Sequence, residues 1–408
     1  MTVARPRGLP FDLTDERFIA DPYPALSALR EAAPIVYDGR LGRWFVTRHA
    51  DVRACLRDRR LGRNFRHVGT EDEFHAEPLD PRFSDFWASE RWSLLWLEPP
   101  EHTRIRKLVA AAFTPRAVES MRGAASRLAG SLLESLGDEF DLLYDYAQPY
   151  SISLICEMLG VPTDRHRDML DWSHAIVKMY EFDTSEAQAV AANGAARDFR
   201  AYVLSLIEER RRRPRDDMVS GLVQARVDGE RLSDDQIVST VVVLLNAGHE
   251  ATVNTVGNGF RALAAHPDEW QRLLSGDVQA AQAIEELIRW DCPLQLFERW
   301  VLEDDVEVAG VPVPRGEKLA LLFGSANRDP RVFADADRLD VGRENAAEHI
   351  GFGGGIHVCI GAPLARIELA ASFEALAELR PTLHLDEQPE RVPAFVIRGF
   401  QAVEVAVP

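Results

Sequence analysis

The sequence predicts a mainly α-helical protein with small β-sheets, read as one domain over residues 1–408. Three observations carry that prediction. Apolar residues recur at helical spacing through the middle of the chain, whereas β-type runs are short and lie toward its two ends. One helix is signalled from start to stop: Ser233-x-x-Gln236 is a capping box, and the pattern runs to about Ala265 before Pro267. At 1.5 Å per residue that helix spans roughly 45–50 Å, enough to cross the molecule. No repeat, low-complexity tract or Gly/Ser linker divides the chain.

Taken in order, Pro22 to Arg30 starts a first helix, and Ile35–Tyr37 and Trp44–Thr47 read as strands joined by a turn at Gly39–Gly42. Asp51 to Asp58 returns to helix. From Gly62 to Trp96 periodicity disappears in a segment carrying Phe65, Phe74, Phe83, Phe86, Trp87, Trp92 and Trp96. So many aromatics argue against disorder, leaving a loop packed on the body or a lid over a ligand. Helices follow at Pro100–Ala112, Pro115–Leu136, Tyr146–Leu159, Asp164–Tyr180 and Glu186–Arg213. The run Arg210–Arg213 before Pro214 reads as a cationic C-terminal cap. After the long helix come Pro267–Ser275 and Val278–Trp290, then a strand-like stretch, Val301–Leu322, with a tight turn at Pro314-Arg-Gly316. Asp329 to Arg343 is irregular; a helix at Gly361–Ala377 and two β-like tails complete the chain.

Composition narrows the class. Hydrophobic residues at 46% and charged residues at 27% describe a globular protein with a large core. A net charge of −18 argues against a general nucleic-acid or anionic-membrane binder. The apolar run Val241–Leu245 is far short of the ~20 residues that span a bilayer, and Met1 to Pro10 has no apolar leader core. Cys55, Cys156, Cys292 and Cys359 have no framework spacing, so a reduced, cytoplasmic protein without a membrane anchor is expected.

The chemistry concentrates in Phe352-Gly-Gly-Gly-Ile-His-Val-Cys-Ile-Gly361. Cys359 stands just before a helix, where the positive end of the helix dipole and free N–H groups favour thiolate. Glycines before it let the backbone approach something flat and bulky. A buried structural cysteine is the plain alternative. Half a zinc site is another, but no second ligand pair follows at usable spacing. A phosphate loop is excluded, since no Gly-Lys-Ser/Thr ending is present.

Phe-Gly-x-Gly-x-His-x-Cys-x-Gly resembles the haem-binding loop of the cytochrome P450 family, in which the cysteine thiolate is the axial iron ligand. The resemblance implies haem b as cofactor, with Phe352, Gly353, His357, Cys359 and Gly361 around it and Cys359 on the iron. Three further stretches match the family in order. Leu245-Asn-Ala-Gly-His-Glu-Ala-Thr-Val-Asn254 resembles its oxygen-activating motif, placing Ala247, Gly248 and Glu250 over the haem. Here the chain departs from the pattern: Ala251 replaces the usual threonine, and Thr252 follows about 100° further round the helix. Glu250, water, Thr252 or a substrate hydroxyl must then serve proton delivery. Glu286-Leu-Ile-Arg289 resembles the pair that braces the haem-side core, with Arg338 or Arg343 as its partner. Glu98-Pro-Pro-Glu-His-Thr-Arg-Ile-Arg106 is the third: its His102 and Arg106, with Arg299 and His357, match positions that contact the haem propionates in the family.

The implied fold is the triangular helical prism of that family, with the long helix at its centre and haem under the cysteine loop. The implied reaction inserts one oxygen atom from O2 into a small hydrophobic or aromatic molecule. Family geometry directs Phe86, Trp87, Leu94, Leu244, Ala247, Leu294, Leu296, Phe297, Phe395 and Val396 to the substrate, although each could equally be core. With no fused reductase, electrons are expected from a separate ferredoxin and its NAD(P)H-dependent reductase, as in soluble bacterial members. A monomer serving secondary metabolism is expected. Arg104, Lys107, Arg116 and Arg366 are candidates for a basic patch that steers such a donor, or are scattered solvated cations. Two alternatives accompany this reading: a peroxide-using or phenol-coupling oxidase, and a non-catalytic haem protein that binds or recruits.

Overall fold

In a computed structural model, residues 8–181 and 184–407 are described; the leader reading on residues 1–7 lies outside them. The helices are α1 (Glu16–Ala20), α2 (Tyr23–Ala32), α3 (His49–Cys55), α4 (Ser84–Glu90), α5 (Glu101–Ala112), α6 (Pro115–Ser120), α7 (Arg122–Ser135) and α8 (Gln148–Leu159). They continue as α9 (His166–Val177), α10 (Glu186–Arg212), α11 (Met218–Gln224), α12 (Asp234–Ala264), α13 (Pro267–Leu274), α14 (Ala280–Trp290), α15 (Phe323–Ala326) and α16 (Ala362–Leu379). The strands are β1 (Ile35–Asp38), β2 (Arg43–Val46), β3 (Leu61–Gly62), β4 (Glu139–Asp141), β5 (Leu296–Val301), β6 (Val306–Val308), β7 (Val311–Val313), β8 (Lys318–Leu322), β9 (His384–Leu385) and β10 (Glu404–Ala406). No helix among the described residues is long and apolar enough to cross a membrane.

Helix α12 is the axis of the molecule. Ser233 Oγ accepts from the Gln236 N–H at 3.3 Å while Gln236 Oε1 accepts from the Ser233 N–H at 3.1 Å, closing the capping box. Its side chains are buried on nearly every face, as a helix with apolar residues all round must be. Packed around it are α8, α9, α10, α14 and α16. The largest sheet runs β1-β2-β8-β5-β3, with β2 and β8 parallel and the other pairs antiparallel. Its register sets Arg299 of β5 opposite Leu319 of β8. Gly316, at φ +88°, makes the predicted turn into β8 in a conformation that side-chain-bearing residues avoid.

Several boundaries differ from the sequence reading. Pro115–Leu136 divides at Met121, whose N–H bonds back three residues to Val118 and tightens the last turn of α6. The segment 62–96 contains β3, a 3₁₀ turn at Pro81–Phe83 and α4. Its aromatics pack on the body: Phe65 stacks on Phe74 with ring centres 4.6 Å apart, and both meet Trp300 of β5. The arginine run is mostly not a cap. Arg210 is buried, donating to Asp217 at 2.5 Å and to the Gly160 carbonyl at 2.6 Å, and Arg211 pairs with Asp234 at the start of α12. Arg212 is the member that reaches a carbonyl of its own helix, that of Glu208.

Candidate functional site

The loop before α16 closes on itself where the Cys359 N–H donates to the Phe352 carbonyl at 2.9 Å. Gly353 and Gly355 lie at φ +68° and +65°, which glycine adopts without strain. A Cβ on Gly355 would run into the Leu56 carbonyl just past α3, and one on Gly354 would sit 3.4 Å from the Leu56 side chain. These two glycines therefore serve a close approach to Leu56, not to a ligand, while Gly353 faces nothing nearer than the His357 carbonyl at 3.8 Å. Burial raises the Cys359 thiol pKa, against the Gly361 and Ala362 N–H groups and the Arg106 and Arg366 guanidiniums, which favour thiolate. A metal cation at the sulfur would reverse that balance. Cys359 is an exposed residue, and Ile356 and Val358 beside it are 37% and 40% exposed, in a loop where no residue from Gly351 to Gly361 is fully buried.

Cations gather next to this loop. His102, on α5, is buried; its Nε2 has no partner, and its ring lies 4.6 Å from that of His357. Burial, with His357 and Arg106 adding, lowers its pKa to about 4. Arg106, one turn on, donates to the Val358 carbonyl at 2.7 Å. Arg299 is buried with its Nη2 unpartnered; burial and then Arg63 push its pKa down to about 9. Arg63, which the sequence reading missed, lies between Trp96 and Phe297, 4.4 and 4.0 Å from their ring centres. Burial lowers its pKa to about 10. Glu98 faces this group, accepting from the Arg63 N–H at 2.5 Å and bonding His357 Nε2 at 3.1 Å. Burial acts to raise its carboxyl, but the His357 bond prevails and the pKa falls below its ordinary value. His357 departs from expectation, since its Nδ1 also lies 3.2 Å from the Leu94 carbonyl and both nitrogens have protein partners.

On α12, Ala247 and Ala251 are exposed and share one face, four residues apart. Gly248 does not: a Cβ there would meet Ile155 of α8 at 3.5 Å, an ordinary contact, so it opens no approach on that face. Thr252 is likewise turned away. Its Oγ1 lies 2.9 Å from the Gly248 carbonyl and 3.0 Å from Glu368 Oε2 on α16, which removes it from the expected catalytic face. Glu368, also missed, is fully buried; burial raises its pKa to about 8 against the Thr252 bond. Its signal was a lone acid inside the apolar run Ile367-Glu-Leu-Ala-Ala371. Glu250 approaches His174 of α9, Oε1 to Nε2 at 3.4 Å. Burial raises its pKa, with His174 and Lys178 opposing.

Glu286 and Arg289 form a fully buried bidentate pair at 2.6 and 2.8 Å, and Arg343, not Arg338, joins Glu286 at 3.1 Å. Several expected substrate contacts are core instead. Phe395 packs on Phe18 at 5.1 Å beside Leu296 in an N-terminal cluster, and Phe297 lies between Arg63 and Arg299. Phe86 is buried edge-on to Trp87 at 4.8 Å. Leu94 and Leu244 are buried, while Trp87, Leu294 and Val396 are half-buried. The basic patch is largely neutralised: Arg104 pairs with Glu101, Lys107 with Asp228 and Arg366 with Glu285, whereas Arg116 stands exposed.

Orphaned nitrogens on buried His102 and Arg299, next to an accessible cysteine sulfur, fit a group that brings both a metal and carboxylates. Fold and donor set together define a haem-thiolate monooxygenase. The chain belongs to the cytochrome P450 family: the Cytochrome P450 family model matches residues 65–276 and 279–379. It is 33% identical to the polyketide biosynthesis cytochrome P450 PksS of Bacillus subtilis, over 96% of this chain and 97% of that one. It is 36% identical to the 6-deoxyerythronolide B hydroxylase of Saccharopolyspora erythraea, over 97% and 98%. The solved structure of P450BioI with a ligated acyl carrier protein superposes with a TM-score of 0.89 at 30% identity, covering 96% of this chain and 99% of that one. Haem b is the cofactor of this family, and its curated relatives include hydroxylases, a hydroxylase/epoxidase and an N-oxygenase.

Proposed function

We propose that this chain oxygenates a small hydrophobic or aromatic molecule, with the Cys359 thiolate as the group that would hold the haem iron and Glu250 as the acid that moves protons toward the open face of α12. Haem, when bound, supplies the electron transfer and O2 chemistry. The residues hold and serve it. Cys359 would offer its thiolate, Arg106 and Arg299, with Arg63 beside Phe297, would take the propionate charge, and uncharged His102 would offer its free Nε2 as a hydrogen-bonding group. His357 positions Glu98 and the loop. Ala247 and Ala251 leave room on the face of α12, and neither carries a hydroxyl.

The observation that carries the reading is the pairing of exposed, hydroxyl-free Ala251 with an adjacent carboxyl whose pKa burial has raised. A carboxyl whose pKa burial has raised takes up a proton more readily than an ordinary glutamate, which suits it to relay protons through water. Electrons come from a ferredoxin-type donor and its NAD(P)H-dependent reductase. The protein works as a cytoplasmic monomer of one domain, in secondary metabolism; the free cysteines of the described residues suit that compartment. Reconstitution with ferredoxin, reductase and a library of apolar compounds tests this. Glu250→Gln should lower turnover about 100-fold, within the usual range for a lost acid–base group, with the Soret spectrum unchanged. Equal turnover by wild type and variant refutes the role.

A further inference from the structure

Three side chains of metal-ligating type meet between α9 and α12: His174 on α9, and His249 and Glu250 on α12. His174 Nε2 and Glu250 Oε1 are 3.4 Å apart, the His174 and His249 rings are centred 5.7 Å apart, and one ligand atom from each residue lies within 4.8 Å of the others. His249 is 1% exposed, and its Nδ1 has no hydrogen-bond partner. A buried, unsatisfied imidazole nitrogen destabilises the fold, a penalty that a ligand would remove. The reaction just described leaves His174 and His249 without a task.

We propose that His174, His249 and Glu250 form a binding site for a divalent transition metal of the zinc class, whose occupation ties up the Glu250 carboxylate. Two imidazoles and one carboxylate with an open fourth position are a donor set zinc accepts. Bonds of about 2.0–2.1 Å in tetrahedral geometry put ligand atoms about 3.4 Å apart. The His174–Glu250 pair already has that separation, and half-exposed His174 can rotate to close the rest. Among the neighbours, Lys178 opposes an incoming cation and Glu181 favours it. The metal would also clamp α9 to α12. Its effect on turnover rests on the role of Glu250 given above; the site itself does not.

Zinc chloride titrated into the haem-loaded enzyme tests both parts. Calorimetry should give one zinc per chain, and zinc-edge X-ray absorption should give nitrogen and oxygen neighbours at about 2.0–2.1 Å. His174→Ala should weaken binding by more than about 100-fold, beyond what an outer partner is worth. His249→Gln should do the same where it folds; half-exposed His174 keeps the test decisive where it does not. No stoichiometric binding below millimolar zinc, sulfur among the neighbours, or unchanged affinity in His174→Ala overturns the site. Stoichiometric, His174-dependent binding supports it whatever happens to turnover. If turnover then stays constant at saturating zinc, the site stands and the proton role of Glu250 falls.

Discussion

Replacing Glu368 with glutamine should make the enzyme more stable at neutral pH, by an amount that grows as pH rises. Glu368 is fully buried on α16 among apolar side chains, and burial raises its pKa from 4.5 to about 8. The folded protein therefore keeps a proton there that the unfolded chain has released throughout pH 4.5 to 8. The neutral acid's stability is fully present below about pH 4.5 and is lost as pH rises through about 8, beyond which the loss is constant. At about 1.4 kcal/mol per unit, that loss reaches about 4–5 kcal/mol, and about 3 kcal/mol at pH 7. Glutamine does not titrate and keeps a donor for Thr252 Oγ1, so Glu368→Gln should escape the loss while holding the contact between α16 and α12. Urea unfolding of the haem-loaded enzymes, followed by circular dichroism from pH 5 to 8.5, measures it. The difference between variant and wild type should rise by about 1.4 kcal/mol per pH unit up to pH 8. A difference constant across that range would mean that Glu368 is ionised in the folded protein, and the reasoning fails.

Three further perturbations follow from the geometry. Ala251→Thr puts a hydroxyl on the open face of α12 and should lower the peroxide released per reduced nicotinamide; unchanged peroxide counts against a proton shortage there. Glu286→Gln strips the carboxylate from buried Arg289 and Arg343 and should cost about 3–5 kcal/mol of stability, read from urea midpoints. Arg299→Ala removes a buried guanidinium with a free nitrogen and should speed haem transfer to apomyoglobin about tenfold or more, whereas a cation serving packing alone would leave that rate unchanged.

What the sequence disclosed depended on whether the signal was local. The capping box at Ser233 and the stop at Pro267 are chemical events within a few residues, so α12 was legible almost to the residue. Cys359 was legible because the spacing of its loop is itself the motif. Arg63 was not: it sits in an aperiodic segment and reads as a solvated cation until Trp96 and Phe297 enclose it. Thr252 shows the limit of periodicity. The helical repeat sets it about 100° from Ala251, but only the contact with Glu368 decides that this side faces α16. Arg210 failed for the same reason, its partners Asp217 and Gly160 being supplied by the tertiary fold.

The buried cations also bear on how the fold and its cofactor depend on each other. Burial lowers the pKa of Arg63 to about 10 and of Arg299 to about 9, and Arg299 Nη2 has no hydrogen-bond partner. Glu98, which faces them, is already engaged by His357 and the Arg63 N–H. Glu286 likewise faces two arginines, Arg289 and Arg343, but there backbone carbonyls take up the remaining guanidinium N–H groups. The two clusters thus differ in what completes them: backbone carbonyls satisfy the arginines beside Glu286, whereas Arg299 keeps a buried nitrogen free for a ligand. A dianionic cofactor binding the second cluster contributes its affinity to the stability of the folded state by mass action. On the proposed haem site, the residues that hold the cofactor would be the ones that make the folded chain depend on it.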